Sequence, residues 1–503
     1  GSAKFLSARL MVAWFVLACL QLTLINAAPK PHLLLVVLDD LGWADVGYHL
    51  GDIPTPNIDE LALNGTQLNQ FYTQPVCSPT RSSFMTGRYP FHTGMQQITT
   101  LVPGSKAAIP ESDPTLPEVL KEQGYATAMV GKWHLGYSSW KQTPTGRGFD
   151  THVGYFNGQI DYYNKTIAGH YDFWANETVY NGSGVNGTHS MHQYMADVNR
   201  LMNAHDPNTP LFLYFSHQLM HIPLDVPDAT LYYNTSRCTH ITDEKRHIYC
   251  AMMTTLDDSV GETVELYKKL GMWDNTVMIV TTDNGGMVNF QKDWPASAGC
   301  NYPFRAGKAT LYEGGVRGVA FVNGGEAVFP ATGRRKVNIN LWHAADIFNT
   351  LATLGGAAVP ALAAADSFDI WPSVVAGANL GNRTEVPINI WLDGTEYTAL
   401  RVGDYKLLHG TFSGIYDGWY PLPPAAHIPA PPKNVTHRHC PLGCQLFNII
   451  DDPYEHKDLA RDNPDLVKKL VERLDFYRKT YVKPQPNTEH CKPVNGVWMP
   501  CEA

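Results

Sequence analysis

Five short apolar runs constrain this chain more than any other feature: Leu33 to Leu38, Ala126 to Val130, Leu211 to Phe215, Val277 to Thr281 and Val316 to Val322. Each is too short to be a self-sufficient helix and is apolar at consecutive positions, as expected of strands buried on both faces. Helical patterns separate the runs, so they predict a mainly parallel or mixed α/β sheet flanked by helices. One intervening helix is well marked, with Asn57 as N-cap, Glu60 three residues later and Gly65 after the last turn. No internal repeat or heptad breaks the pattern. At roughly 150 residues per domain, 503 residues allow two to three domains, or one large α/β unit with a smaller one. An 11% aromatic content excludes a disordered chain.

The pattern changes after about residue 385. A Pro-rich stretch, Pro421 to Pro432, separates a strand-like Tyr397 to Leu408 from Gln445 to Ile450. Asn463 then caps a helix with Pro464 at its first position, running to about Tyr477. The expected organisation is a main domain over 29–385 and a smaller α+β subdomain over 386–503. Ahead of both, Lys4 and Arg9 precede an uncharged, mostly apolar Leu10 to Ala28. Residues 1–28 thus read as a signal peptide cleaved near Ala27 or Ala28, with an uncleaved anchor as the alternative. No other window approaches the ~18 apolar residues of a membrane span, so no stable span is expected after signal cleavage.

A secretory origin, lysosomal or extracellular, gives meaning to three other features. Asn64, Asn164, Asn176, Asn181, Asn186, Asn234, Asn382 and Asn434 each open an N-x-S/T triplet, and the four between 164 and 186 mark an exposed, glycosylated insertion. The 17% charged fraction is below the roughly 25% of an average soluble domain, and glycans would supply the missing solubility. Of the cysteines, Cys238/Cys250, Cys440/Cys444 and Cys491/Cys501 are close enough for local disulfides, although spacing alone does not fix pairing. Cys77 and Cys300 are left over. A net charge of −9 offers no basic stripe for a nucleic-acid partner.

Chemistry-bearing residues collect where the predicted strands end. Asp39 and Asp40 follow the first run, Lys132 and His134 the second, His217 and His221 the third, Asp283 and Asn284 the fourth. Ligands in open α/β sheets bind outside the carboxyl ends of strands, so these residues are expected to converge. Asp39, Asp40, Asp283 and Asn284 offer hard oxygen donors, which suit Ca²⁺ or Mg²⁺. Three clustered aspartates would repel one another without a cation to neutralise them. Turn capping is the plainer explanation for Asp283-Asn284-Gly285-Gly286 alone. Farther on, Cys77-Ser78-Pro79-Thr80-Arg81 reads as a helix start, with Ser78 as cap and Pro79 at the first position. That places Cys77 at a helix N-terminus with Arg81 one turn further, an anion site with a candidate nucleophile.

Cys77-x-Pro79-x-Arg81 followed by Thr86-Gly87-Arg88 resembles the signature of the type I sulfatases, in which the cysteine is oxidised to formylglycine. Gly131-Lys132-Trp133-His134-Leu135-Gly136 is similar to a second sulfatase signature. Further similar segments are Leu38 to Trp43, Thr282 to Gly286, Lys308 ahead of Glu313 to Gly318, Arg401 to Leu407, and Asp451 to Pro453. The resemblance covers about 30 to 500 and is nearest the arylsulfatase B (N-acetylgalactosamine-4-sulfatase) subgroup. It implies an alkaline-phosphatase-like mixed sheet flanked by helices, with a smaller C-terminal α+β domain. It also implies one Ca²⁺ held by Asp39, Asp40, Asp283 and Asn284, adjoining formylglycine made from Cys77 by the formylglycine-generating enzyme.

On the same resemblance Arg81 would orient the hydrated aldehyde, Lys132 and Lys308 would grip sulfate oxygens, His134 would serve its hydroxyl, and His221 would protonate the leaving alcohol. His217 matches no family position and is read as structural. The implied reaction is hydrolysis of sulfate esters on aryl or glycosaminoglycan-type sugar substrates. The alternatives are a phosphodiesterase or phosphonate-ester hydrolase of the same fold, or a catalytically silent glycan-binding secreted protein. Gln96 to Pro110 lacks the cysteines the subgroup commonly carries there, which leaves Cys491 to pair elsewhere, Cys501 being the near candidate.

Overall fold

The computed structural model describes residues 29–501, apart from 50–51, 97–100, 183, 229–231, 289–296, 379, 382, 394–395, 411–417, 420–442 and 486–489. The expected signal peptide, Cys19, Cys440, Asn382, Asn434 and Pro421 to Pro432 lie outside the described residues.

Among the described residues the apolar runs form the middle of a ten-stranded mixed sheet. Its strands are His32–Leu38 (β1), Thr66–Leu68 (β2), Ala126–Lys132 (β3), Thr151–Tyr155 (β4), Trp174–Ala175 (β5), Thr178–Val179 (β6), Leu211–Ser216 (β7), Thr276–Thr282 (β8), Ala320–Gly324 (β9) and Lys336–Asn338 (β10). The spatial order is β10-β2-β9-β8-β1-β7-β3-β4-β5-β6. The central β8, β1, β7, β3 and β4 are parallel, while β9 on one side and β5 on the other run antiparallel to their neighbours.

Because successive strand residues face opposite sides, one apolar run feeds two cores. Leu34, Val36, Leu213, Phe215, Met278 and Val280 pack on one face with Ile58, Tyr194, Met252 and Leu256. The latter come from helices Pro56–Asn64 (α1), Ser190–Ala204 (α3) and Glu244–Lys269 (α4). Leu33, Leu35, Phe212, Tyr214 and Ile279 pack on the other face with Phe84, Ile347 and Phe348. These belong to helices Cys77–Thr86 (α2) and Asp346–Leu354 (α5).

Two local expectations are corrected. Thr55, not Asn57, is the N-cap of α1, and Pro56, which has no N–H to satisfy, takes the first helical position. Asn57 instead donates through Nδ2 to Asp257 Oδ2 on α4 at 2.9 Å. The fifth run is not one strand: Glu313–Val316 close a turn of helix, and β9 begins at Ala320. The turn sets buried Glu313 against Arg317 four residues on and against Lys406, the latter a long-range pairing that an apolar pattern cannot register.

After residue 384 the chain builds a second, antiparallel sheet of Glu385–Trp391 (β11), Tyr397–Val402 (β12), Tyr405–Gly410 (β13) and Cys444–Asn448 (β14). The strand-like Tyr397 to Leu408 is therefore a hairpin, turned at Gly403 with φ of 54°. One face of this sheet packs against Leu470 and Leu474 of helix Pro464–Arg478 (α6). The other packs against Ala306, Leu311, Tyr312 and Val316, the stretch that carries Lys308. Across that seam Lys406 Nζ donates to Glu313 Oε1 at 2.8 Å and to Glu455 Oε1 at 2.9 Å, all three side chains being buried. Disulfides join Cys238 to Cys250 and Cys491 to Cys501. Among the described residues no helix is long and apolar enough to cross a membrane.

Lys406→Met would leave Glu313 and Glu455 buried without their shared cation. Removing one partner of a buried ion pair costs about 3–5 kcal/mol, so the urea midpoint should fall sharply. An unchanged midpoint would show that the seam does not depend on this lysine.

Candidate active site

Strands β8, β1, β7 and β3 are neighbours and parallel, so their carboxyl ends lie along one edge. Asp39 and Asp40 leave β1 there, Lys132 ends β3, and Asp283 and Asn284 follow β8. His221 lies five residues beyond β7. Gly131, with φ of 106°, faces β7 so closely that a Cβ would lie 1.8 Å from the Ser216 carbonyl oxygen. Only glycine allows that approach immediately before Lys132. Asp40 and His134 adopt left-handed backbone, φ 56° and 54°, which costs a non-glycine residue of order 1–3 kcal/mol and concentrates at functional sites.

Cys77 is the first residue of α2 and Val76 its N-cap, so Ser78 and Pro79 sit two positions deeper than expected. The Thr80 hydroxyl receives the Gln74 N–H at 2.8 Å and helps fix the entry of the chain. Cys77 is fully buried, and Arg81 follows one turn later on the same face. Lys308 arrives from the segment held by the small sheet, where Tyr397 Oη donates to the Ala309 carbonyl at 3.0 Å.

These side chains form an alternating charge array. Lys132 Nζ donates to Asp39 Oδ2 at 2.7 Å, and Lys308 Nζ to Asp40 at 2.7 Å. Arg81 donates from Nε to Asp283 Oδ2 at 2.8 Å, with Nη2 3.7 Å from Asp39 Oδ1. Three buried carboxylates thus face three buried cations, which corrects the expectation that only a metal ion relieves their repulsion. Burial would raise the pKa of Asp40, but Lys308, His221 and Lys132 outweigh it and hold the group well below the usual range. Asp283 is likewise lowered, with burial outweighed by Arg81 and Lys132. Asp39 is pushed up by burial and by Asp283. Burial pushes the Cys77 thiol up to about 11 despite Lys132 and Lys308.

The three histidines near these strand ends differ. His134 Nε2 lies 3.1 Å from the Leu101 carbonyl, which can only accept, so Nε2 carries the proton. Its Nδ1 is buried without a hydrogen-bond partner among the described residues. Burial and Lys132 hold this ring neutral. His221 Nδ1 lies 2.9 Å from the Ile222 carbonyl and Nε2 lies 3.6 Å from Asp40 Oδ2. Burial and Lys308 depress its pKa to about 3. His217 makes no side-chain hydrogen bond among the described residues and lies tilted against Phe215, ring centroids 4.0 Å apart, as a packing residue would.

The donor set fits a hard cation. Ligand atoms of Asp39, Asp40, Cys77 and His221 all lie within 4.8 Å of one another. Asn284 and Asp283 adjoin that cluster: Asn284 Nδ2 donates to Asp40 Oδ1 at 2.8 Å and the Asp40 N–H to Asp283 Oδ1 at 3.2 Å. Asp39 Oδ1 and Asn284 Oδ1 are buried oxygens without hydrogen-bond partners among the described residues. Such oxygens suit Ca²⁺ or Mg²⁺.

The structure therefore brings together Asp39, Asp40, Cys77, Arg81, Lys132, His221, Asp283, Asn284 and Lys308, with His134 two residues beyond Lys132. Reading strand ends missed the supports of Arg81: its Nη1 donates to the Lys132 carbonyl at 3.2 Å and to Ser216 Oγ, which in turn donates to that carbonyl at 2.7 Å. Ser216 ends an apolar run, and that position was its only signal.

A family model described as Sulfatase matches residues 31–357. The chain is 35% identical to arylsulfatase J of Mus musculus, covering 94% of this chain and 80% of that protein. It is 29% identical to N-acetylgalactosamine-6-sulfatase of Sus scrofa, covering 97% and 94%. It is also similar to the crystal structure of Ps i-CgsB in complex with k-i-k-neocarrahexaose, with a TM-score of 0.74 and 27% identity over 91% of this chain and 94% of that one. The signature residues at Cys77 and Lys132 lie inside the matched region, and this chain belongs to the sulfatase family.

Proposed function

We propose that the chain is a calcium- and formylglycine-dependent hydrolase of sulfate esters on glycosaminoglycan-type sugars, with aryl sulfates as surrogate substrates. The observation that carries this is the alternation of Arg81, Lys132 and Lys308 with Asp39, Asp40 and Asp283 beside Cys77 at the α2 N-terminus. The six charges cancel, so a divalent cation held by Asp39, Asp40, Asp283 and Asn284 would give the site a net charge of about +2, suited to an anionic sulfate ester. When bound, the ion would polarise the nucleophilic hydroxyl and a sulfate oxygen. Formylglycine made from Cys77 would supply, as its hydrate, the two hydroxyls needed to accept and then release the sulfuryl group.

The remaining work falls to this chain's own side chains. Sulfuryl transfer spreads charge over equatorial oxygens, and by analogy with phosphoryl transfer, electrostatic clamping dominates. Lys132 and Lys308, rigidly paired with Asp39 and Asp40, are preorganised for those oxygens. Arg81, tied to Asp283, orients the hydroxyls at residue 77. His134, neutral and with Nδ1 unprotonated, is set to accept a proton there. His221 is held neutral chiefly by burial and Lys308; the negative charge of bound substrate would oppose that cation and allow Nε2 to deliver a proton to the leaving oxygen.

N-acetylgalactosamine supports the sugar assignment twice, through the 4-sulfatase likeness of the motifs and the 6-sulfatase name of a relative; the two differ in the hydroxyl that bears sulfate. The two disulfides and the exposed Asn164, Asn176, Asn181 and Asn186 support a secretory, lysosomal or extracellular product. Maturation there requires the formylglycine-generating enzyme as partner.

Three outcomes are expected. Cys77→Ser keeps one hydroxyl and loses the other, so it should turn over at most once and retain sulfate, detectable by intact mass; sustained turnover would sink the aldehyde mechanism. His221→Ala should slow phenyl sulfates with poor leaving groups by about 10²–10⁴-fold and activated ones far less. Equal losses would remove His221 from proton delivery. Excess Ca²⁺ should stabilise the metal-stripped protein by about 2.7 kcal/mol at a hundredfold above its dissociation constant, read as a rise in Tm, and Asp283→Ala should abolish the rise.

A further inference from the structure

The loop that bears His221 has no regular structure of its own, yet its backbone is held from outside. Tyr162 is fully buried, and its hydroxyl lies 2.8 Å from the His221 carbonyl oxygen and 3.2 Å from that of Gln218. Carbonyls only accept, so the phenol is the donor, and its proton serves the shorter contact first. Burial and Asp39 keep that phenol protonated by raising its pKa.

Tyr162 is itself clamped. Its ring stacks on His189 with centroids 4.7 Å apart and planes 7° from parallel. Lys165 Nζ donates to the Tyr162 carbonyl at 2.7 Å. Gln218, at the start of the same loop, donates from Nε2 to the Ile160 carbonyl at 2.5 Å and receives the Ser190 hydroxyl on Oε1 at 2.8 Å. Farther along, Tyr163 Oη donates to the Val226 carbonyl at 2.9 Å. The stretch from 160 to 190 thus faces inward with a tyrosine pair while Asn164, Asn176, Asn181 and Asn186 face outward.

We propose that Tyr162 is a positioning residue for His221: its hydroxyl fixes the His221 carbonyl and thereby aims the imidazole at the leaving oxygen. The sequon-bearing segment, on this view, is part of the proton-delivery apparatus. The inference rests on His221 being the proton donor, a role that the His221→Ala series tests separately.

The test measures kcat over a series of ring-substituted phenyl sulfates of rising leaving-group pKa, in wild type, Tyr162→Phe, His221→Ala and the double variant. Misaiming a reacting group by about 1 Å can cost on the order of 10²-fold, so Tyr162→Phe should lose 10-fold or more on the poorest leaving groups. Loss on the most activated sulfate should stay within about twofold, and none should be added in the His221→Ala background. Tyr163→Phe, a matched hydroxyl deletion that does not touch the His221 carbonyl, should keep the wild-type leaving-group dependence. Uniform loss across the series in Tyr162→Phe, an additive loss in the double variant, or the same steepening in Tyr163→Phe would overturn the proposal. If His221→Ala itself loses equally across the series, the His221 role fails first, and Tyr162 has nothing to aim.

Discussion

The interleaving of Arg81, Lys132 and Lys308 with Asp39, Asp40 and Asp283 is the constraint around which the rest is arranged. Burying six charges is expensive, and none is tolerable alone in a low-dielectric interior. Each is therefore paired at hydrogen-bond distance, and each pair joins elements distant in sequence: β1 to β3, β8 to α2, β1 to the Lys308 segment. The parallel strands serve this purpose directly. Adjacent parallel strands end on one edge, so the ends of β1, β3 and β8 deliver charges to one point without long loops.

The small C-terminal sheet completes the array from the other side. Its inner face holds the stretch from Ala306 to Val316, and Lys406 locks that stretch through Glu313 while also binding Glu455. Lys308 is thus rigid because a second sheet, built more than seventy residues later in the chain, packs against its neighbours. A cation held this way would need little reorganisation to meet an anion, which is the main benefit of electrostatic preorganisation.

Much of the site was legible because the relevant signals are local. The apolar runs fix the strands, and residues at their carboxyl ends then share an edge whatever the order of the strands. Cys77 and Arg81, four residues apart, fall on one helix face by helical geometry alone. Less legible were Ser216 and Tyr162, whose roles come from contacts over 84 and 59 residues of chain. The caps of α1 and α2 were each misplaced by two residues. Asn57 and Ser78 are good capping types, but Asn57 is drawn to Asp257 and the residue just ahead of Cys77 already takes the cap.

The sequence by itself determined which residues are candidates for chemistry and that they meet, since strand periodicity, helix start and donor type are properties of a few neighbouring residues. Tertiary structure alone decided how the charges balance. Three aspartates read in isolation demand an external cation, whereas folded they stand opposite three cations drawn from α2, β3 and the Lys308 segment. That balance depends on distances between residues 93 to 268 positions apart, and only packing sets those distances.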